Sequence, residues 1–150
     1  MKKINIKIKK KESAIDFPIP KYATIGSSGL DLYADILEPI TIVPFERKLV
    51  SCGIYIEMPK GYEAQIRPRS GLALKHGITL LNTPGTIDSD YRGLISVILI
   101  NLSDKDFVIE RKDRIAQMVF SEVIYGEFKE VKELEETIRS KGGFGHTGVR

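Results

Sequence analysis

The sequence predicts an all-β sandwich or barrel carrying one short helix. β-branched runs such as Ile40-Thr41-Ile42-Val43 and Leu49 to Met58 are short, recur often and are punctuated by Pro and Gly. Hydrophobicity alternates with period two, not 3.6, from Lys3 to Lys10 and again from Gly61 to Ile66. Helix chemistry gathers in one compact place, after Pro68.

In chain order, Ile4, Ile6 and Ile8 share one face of a first strand, and Lys3, Asn5, Lys7 and Lys9 share the other. The lysines read either as a polyanion patch or as a solvated face that discourages edge pairing. Phe17-Pro18-Ile19-Pro20 must be an extended connector, since proline interrupts both helix and ladder. Small residues from Gly26 to Gly29 turn the chain into Leu30-Asp31-Leu32-Tyr33, a strand in which Asp31 faces away from the leucines. Taken alone, this is a turn with a solvated aspartate. Ser70 as N-cap fits a helix over residues 71 to 75, with His76-Gly77 as its exit and His76 structural. Amides at that helix start, with Arg69, Ser70 and Gly71, suit an anion, or are simply a capped helix with surface arginines. Leu94 to Ile100 is the most apolar run and is expected to be a central strand buried on both faces. Asn101 to Asp106 is a polar turn, and Phe107 to Ile109 and Ile115 to Phe120 are further strands, Gln117 projecting opposite Ala116 and Met118. Val131, Leu134 and Ile138 are spaced like a helix face.

The densest chemistry lies between Leu80 and Gly93. Pro84-Gly85 turns the chain between two apolar runs, and Asp88, Asp90, Tyr91 and Arg92 crowd behind the turn. This reads as a β-hairpin whose mouth holds a small planar ligand: Asn82 and backbone groups of Gly85, Thr86 and Ile87 read its edge, Asp88 works on a water, and Tyr91 packs against a sugar. The tail from Lys141 to Gly148 holds four glycines, so it is expected to be a mobile lid that lays Phe144 over a base while amides and Thr147 wrap phosphates, or else a disordered tail.

Composition narrows the field. One domain over residues 1–150 is expected, with 42% hydrophobic and 29% charged residues, ordinary for a globular protein. A net charge of +3 and scattered aromatics argue against a nucleic-acid partner. There is no apolar run of membrane-spanning length, so no membrane is expected. The opening residues lack a signal-peptide stretch, and the lone Cys52 reads as a small buried hydrophobe; both point to a reducing cytoplasm. No Cys/His cluster has zinc spacing. No Ser or Cys nucleophile has an evident His partner, which favours direct attack by water.

Five segments occur in a telling order: Gly29-Leu30-Asp31-Leu32, Arg67-Pro68-Arg69-Ser70-Gly71-Leu72-Ala73, Leu80 to Gly93, Arg114-Ile115-Ala116-Gln117-Met118 and Gly142-Gly143-Phe144-Gly145-His146-Thr147-Gly148. Together they resemble the signature motifs of the trimeric deoxyuridine triphosphate nucleotidohydrolases (dUTPases). The resemblance implies a distorted jelly-roll or β-clip barrel, a homotrimer with sites shared between subunits, an extended arm over 127–138 reaching a neighbour, and the lid over 139–150. It implies Mg²⁺-dependent hydrolysis of dUTP to dUMP and pyrophosphate, which keeps uracil out of DNA and supplies dUMP for thymidylate synthesis. By the same resemblance Asp88 activates the water, Gln117 meets the α-phosphate region, Arg69 and Arg139 meet phosphates with Arg139 on the γ-phosphate, and Asp31 lies near the metal, reaching it through water. Arg67, Arg92 and Arg114 brace the architecture. Two positions depart from the family pattern: Ser140 replaces a common glycine, and His146 a frequent serine. A deoxycytidine triphosphate deaminase shares the fold and is the nearest rival, but the glutamate-centred motif it needs is not found. A non-catalytic nucleotide-binding trimer is the rival from another class.

Overall fold

The structure, a computed structural model, describes residues 2–143. Its elements are β1 (Lys7–Lys10), a single 3-10 turn (Glu12–Ala14), β2 (Leu30–Tyr33), β3 (Ile40–Ile42), β4 (Arg47–Ser51), β5 (Ile54–Glu57), β6 (Tyr62–Arg67), α1 (Ser70–His76), β7 (Ile78–Leu80), β8 (Gly85–Ile87), β9 (Ser96–Asn101), β10 (Phe107–Ile109) and β11 (Arg114–Glu122). The chain is therefore mostly β with one short helix, as the sequence predicts.

Every ladder is antiparallel. β11 runs between β2 and β6, and β8 pairs with the far side of β6, giving the order β2-β11-β6-β8. β9 runs between β4 and β7, and the pairs β1-β5 and β10-β3 complete the set. The core is filled from alternate positions of these strands: Leu32, Ile42, Ile66, Ile78, Leu99, Ile109, Ile115 and Met118 are all buried. Truncating such a side chain to Ala costs about 2–5 kcal/mol, so the period-two pattern is also where most of the stability resides.

Three expectations need correction, and one open alternative, a helix within 127–138, drops out. The stretch from Leu80 to Gly93 is not a two-stranded hairpin. β7 pairs with β9 and Leu81 continues that ladder by donating to Ile98 O (2.9 Å), whereas β8 pairs with β6. Each flank of the Pro84 turn finds a longer partner elsewhere, so the turn carries the chain from one sheet to another; the Thr83–Pro84 bond at its corner is cis. The run from Leu94 to Ile100 is central but is buried on one face only. Val97 and Leu99 point inward, while Ser96, Ile98 and Ile100 are half-buried on the other side. The helix begins at Ser70, one residue early, and Arg69 is its N-cap, with φ −93° and ψ 128° and no side-chain cap. The Arg69 guanidinium is engaged with Asp31 instead. Gly77 closes the helix in the left-handed conformation (φ 65°), where a Cβ would also strike Ser103, so glycine is needed there twice over. Finally, Val131, Leu134 and Ile138 form no helix. Residues 123–136 belong to no helix or strand, and Ile124, Phe128 and Leu134 stand exposed. The helical spacing has no apolar surface to pack on within its own chain, and short isolated helices are marginal in water.

The first strand is shorter than its pattern. Alternating exposure begins at Lys3, but pairing starts only at Lys7. Beyond it, the chain to Phe17 is held by a buried carboxylate. Asp35 Oδ2 accepts hydrogen bonds from Ser13 Oγ (3.0 Å), Ser51 Oγ (3.1 Å) and Lys11 Nζ (3.1 Å), and its side chain is 2% exposed. Burial works against its charge, but those donors outweigh it and hold the carboxyl below its usual range. Arg111 fastens the same segment from the other side, forking onto Asp16 (2.7 and 3.0 Å) and lying over the Phe17 ring. Cys52 is buried, and burial pushes its thiol up to about 12, so it behaves as the small hydrophobe expected.

Candidate functional site

The change of sheet at Pro84 opens a seam, and the seam holds a cavity of about 290 Å³. Its walls come from both sides: Leu80, Ser96 and Ile98 from β7 and β9, Ile66 from β6, and Gly85, Thr86 and Ile87 from β8. Asn82 and Tyr91, from the loops flanking β8, complete the lining. The volume lies just under the range of ligand pockets, roughly 300 to 1,000 Å³, and suits a small ligand or part of a larger one. Gly85 is buried beside Ile66, and Asn82 Nδ2 lies 3.4 Å from where a Gly85 Cβ would stand. An unadorned backbone at 85 therefore leaves its polar edge facing the cavity next to an amide side chain. Five predicted residues, Asn82, Gly85, Thr86, Ile87 and Tyr91, are thus brought together.

Behind β8 the chain is tied into a compact turn. Tyr91 N donates to Asp88 O (3.1 Å), and Arg92 Nη1 donates to Ser89 O (2.8 Å) and Tyr91 O (2.9 Å). Arg92 therefore braces the turn with its own backbone. Asp88, next in the chain after the lining residue Ile87, is exposed, and its carboxylate has no ion-pair partner among the described residues.

A second cluster forms at the other end of β6. The register sets Gln117 of β11 opposite both Asp31 of β2 and Arg67 of β6. Asp31 is clamped between two guanidiniums: Arg69 Nε lies 3.0 Å from Oδ1 and Arg114 Nη1 lies 3.2 Å from Oδ2. Arg69 also donates to the Arg114 carbonyl (2.9 Å), and Gln117 Nε2 donates to Pro68 O (3.0 Å). Ser70 and Gly71 are exposed beside this cluster at the uncapped start of α1. The result is two cations fixed by one carboxylate, beside an amide fixed by a carbonyl, an arrangement suited to phosphate oxygens. Arg67 is turned away from it and donates to Gln65 Oε1 (2.6 Å), which in turn holds Glu63 through its amide (2.6 Å).

The two clusters lie apart in one chain. Ala64 pairs with Ile87, which brings Asp88 level with Glu63, whereas Gln117 pairs with Arg67. Four residues of strand at about 3.3 Å each separate them by roughly 13 Å along β6. Arg139 joins neither cluster: its Nε donates to Gly142 O (2.9 Å) in a local turn where Ser140 has φ 40°, a conformation glycine adopts without penalty. Phe144 and Thr147 lie outside the described residues.

Some contributors were hidden in the sequence. Ser96 and Ile98 line the cavity, and the alternation within Leu94 to Ile100 is the signal that marks them. Gly29 is pressed against Gln117, where a Cβ would stand 2.2 Å from Oε1. The Pro68 carbonyl, which orients Gln117, leaves no sequence signal.

The donor set bears on a metal. Among the described residues no group of three His, Cys, Asp or Glu could hold one. Both oxygens of Asp31 already face arginines. These residues fit a magnesium ion that is bound chiefly by phosphate oxygens and water, with protein carboxylate at most in its outer sphere. No helix among the described residues is long and apolar enough to cross a membrane.

A dUTPase family model matches residues 16–148. The chain is 57% identical over 146 residues to a deoxyuridine 5'-triphosphate nucleotidohydrolase of Caldanaerobacter subterraneus subsp. tengcongensis, covering 97% of this chain and 99% of that one. It is 62% identical over 135 residues to the protein of the same name from Hydrogenobaculum sp., covering 90% and 93%. In fold it is similar to the dUTPase of Staphylococcus bacteriophage 80alpha bound to dUPNHPP, with TM-score 0.85, 23% identity, and coverage of 97% and 99%. A phage phi11 dUTPase described as coordinating a structural Mg(II) ion matches with TM-score 0.76 at 19% identity, over 88% of this chain and 99% of that one.

Proposed function

The chain belongs to the dUTPase family, and from that premise we propose that it is a dUTP diphosphatase that hydrolyses dUTP to dUMP and pyrophosphate at a site built by more than one copy of itself. The observation that carries the reading is the cavity lined by Asn82, Ile87 and Tyr91, with Asp88 exposed on the segment between the last two. Uracil enters the cavity, and Asn82 with the backbone at Gly85 to Ile87 pairs with its polar edge. Cytosine reverses donors and acceptors along that edge and leaves buried groups unpaired, a costly mismatch. Thymine differs by a methyl group, which the closed turn excludes sterically. Tyr91 lies against the deoxyribose and occupies the space a 2′-hydroxyl would need.

Asp88 orients one water and takes its proton as the water attacks the α-phosphate. The bond from the α-phosphorus to the α–β bridging oxygen breaks, and pyrophosphate leaves with that oxygen. A positioned general base supplies about 10²- to 10⁴-fold. The remaining acceleration comes from charge placed on the phosphoryl oxygens. Mg²⁺, carried on the triphosphate, supplies part of that charge when bound. Arg69, Gln117, Ser70 and the amide of Gly71 supply the rest, with Arg114 and Asp31 holding Arg69 in place, and Asp31 would meet the ion through its water. Arg139, Phe144 and Thr147 close over the substrate as a lid, Arg139 on the γ-phosphate.

The roughly 13 Å between Asp88 and Gln117 supports a shared site, because one chain's cavity and its own phosphate cluster lie too far apart to grip the same α-phosphate. A homotrimer, with the exposed apolar residues of 124–138 docked as an arm on a neighbour, gives each cavity a cluster from another copy. The setting is the cytoplasm, where the reaction keeps uracil out of DNA and yields dUMP for thymidylate synthesis. The test is to incubate the purified protein with each deoxynucleoside triphosphate and with UTP, with and without Mg²⁺, in ¹⁸O water. The proposal expects dUMP and pyrophosphate from dUTP alone, with the label in dUMP. Ammonia released from dCTP, or label in pyrophosphate, contradicts it.

A further inference from the structure

We infer that Gly93 is a positioning residue for sugar selectivity: it is the bare plate on which the Tyr91 ring rests, and a side chain there displaces the ring from the sugar. The inference rests on the reading that Tyr91 packs against the deoxyribose. A Cβ at position 93 would stand 2.2 Å from Tyr91 Oη, 2.4 Å from Cζ and 2.8 Å from Cε2. No carbon can sit that close, so either the ring or the backbone has to move. Gly93 is not among the positive-φ glycines of the described residues, which are Gly53, Gly61 and Gly77. Its backbone conformation is therefore open to an L residue, and what the position requires is room.

The ring is the part that yields. The backbone is pinned on both sides of Gly93: before it by Tyr91 N on Asp88 O and by Arg92 on Ser89 O and Tyr91 O, and after it by Ile95 N on Ile54 O (2.9 Å) and Cys52 N on Ile95 O (2.8 Å). The phenol is held by one hydrogen bond, from Oη to Leu94 O at 3.2 Å, and by the glycine itself. Tyr91 is 43% exposed and lines the cavity, so a ring pushed off Gly93 has open space to move into. The backbone thus presets the aromatic wall before any substrate arrives.

The test is a double-mutant cycle read as the ratio of kcat/KM for dUTP to that for UTP, measured in the wild type, Gly93→Ala, Tyr91→Ala and the double variant. Gly93→Ala is expected to lower the ratio about tenfold, and to change it less than about twofold when added to Tyr91→Ala. An unchanged ratio in Gly93→Ala, beside a reduced one in Tyr91→Ala, overturns the inference while leaving the reading of Tyr91 intact. An unchanged ratio in Tyr91→Ala removes the reading itself, and the inference with it. Equal losses from Gly93→Ala in both backgrounds also overturn it. Should Gly93→Ala fail to fold, the double variant decides: folding as well as Tyr91→Ala supports the contact, and misfolding overturns it.

Discussion

Asp35 and Asp88 are the same side chain put to opposite use. Asp35 is enclosed, and the chain's own serines and a lysine converge on one of its oxygens. Asp88 stands in the open at the end of β8, on a turn whose hydrogen bonds run from backbone to backbone and through Arg92. In the first region each polar group is satisfied within the chain, so the carboxylate holds structure. In the second the turn is rigid but its carboxylate is left unengaged, which is what a group awaiting a water requires. Between them stands Asp31, satisfied by two arginines, of which Arg114 is exposed and Arg69 half-buried.

That contrast breaks cleanly under substitution. The largest effect is expected from Asp88→Asn: kcat for dUTP falls by about 10²- to 10⁴-fold while substrate affinity and the urea midpoint stay near wild type. Near-normal turnover would put the base elsewhere. Asp35→Ala is expected to do the reverse, costing about 2–4 kcal/mol in urea unfolding and leaving kcat of the folded fraction intact. Tyr91→Ala sharpens the comparison inside the second region: stability changes little, but kcat/KM for UTP rises toward that for dUTP, about tenfold in the ratio.

Acid titration gives the smallest effect. The Asp35 carboxyl lies below its ordinary value of 3.8 in the folded state, so its stabilisation is complete above that value and is lost as pH falls through the lower folded one. Stability below pH 4 should therefore decline less steeply in Asp35→Asn than in the wild type. Identical slopes would mean the three donors do not hold its charge.

Much of this was legible in the residues because strands, turns and the helix are local. Leu30–Tyr33, Ile40–Ile42 and the helix exit at Gly77 follow from alternation and from glycine in the left-handed region. What stayed hidden is nonlocal. Nothing around Pro84 states that β7 prefers β9 and β8 prefers β6, since both choices satisfy the same backbone groups. Asp35 reads as one more polar residue near a turn, because its donors come from two distant parts of the chain, Lys11 with Ser13 and Ser51. The motifs located Asp88 and Gln117 but not the distance between them, which is set by the register of β6 against both neighbours.

That separation makes subunit complementation the most direct measurement. Asp88→Asn and Arg69→Ala chains, each nearly inactive, are unfolded, mixed in equal amounts and refolded together. If Asp88 of one copy works with Arg69 of another, random assembly leaves about a quarter of the sites intact, and the mixture regains about a quarter of the wild-type rate. If both groups serve the site of their own chain, the mixture stays as inactive as its parts.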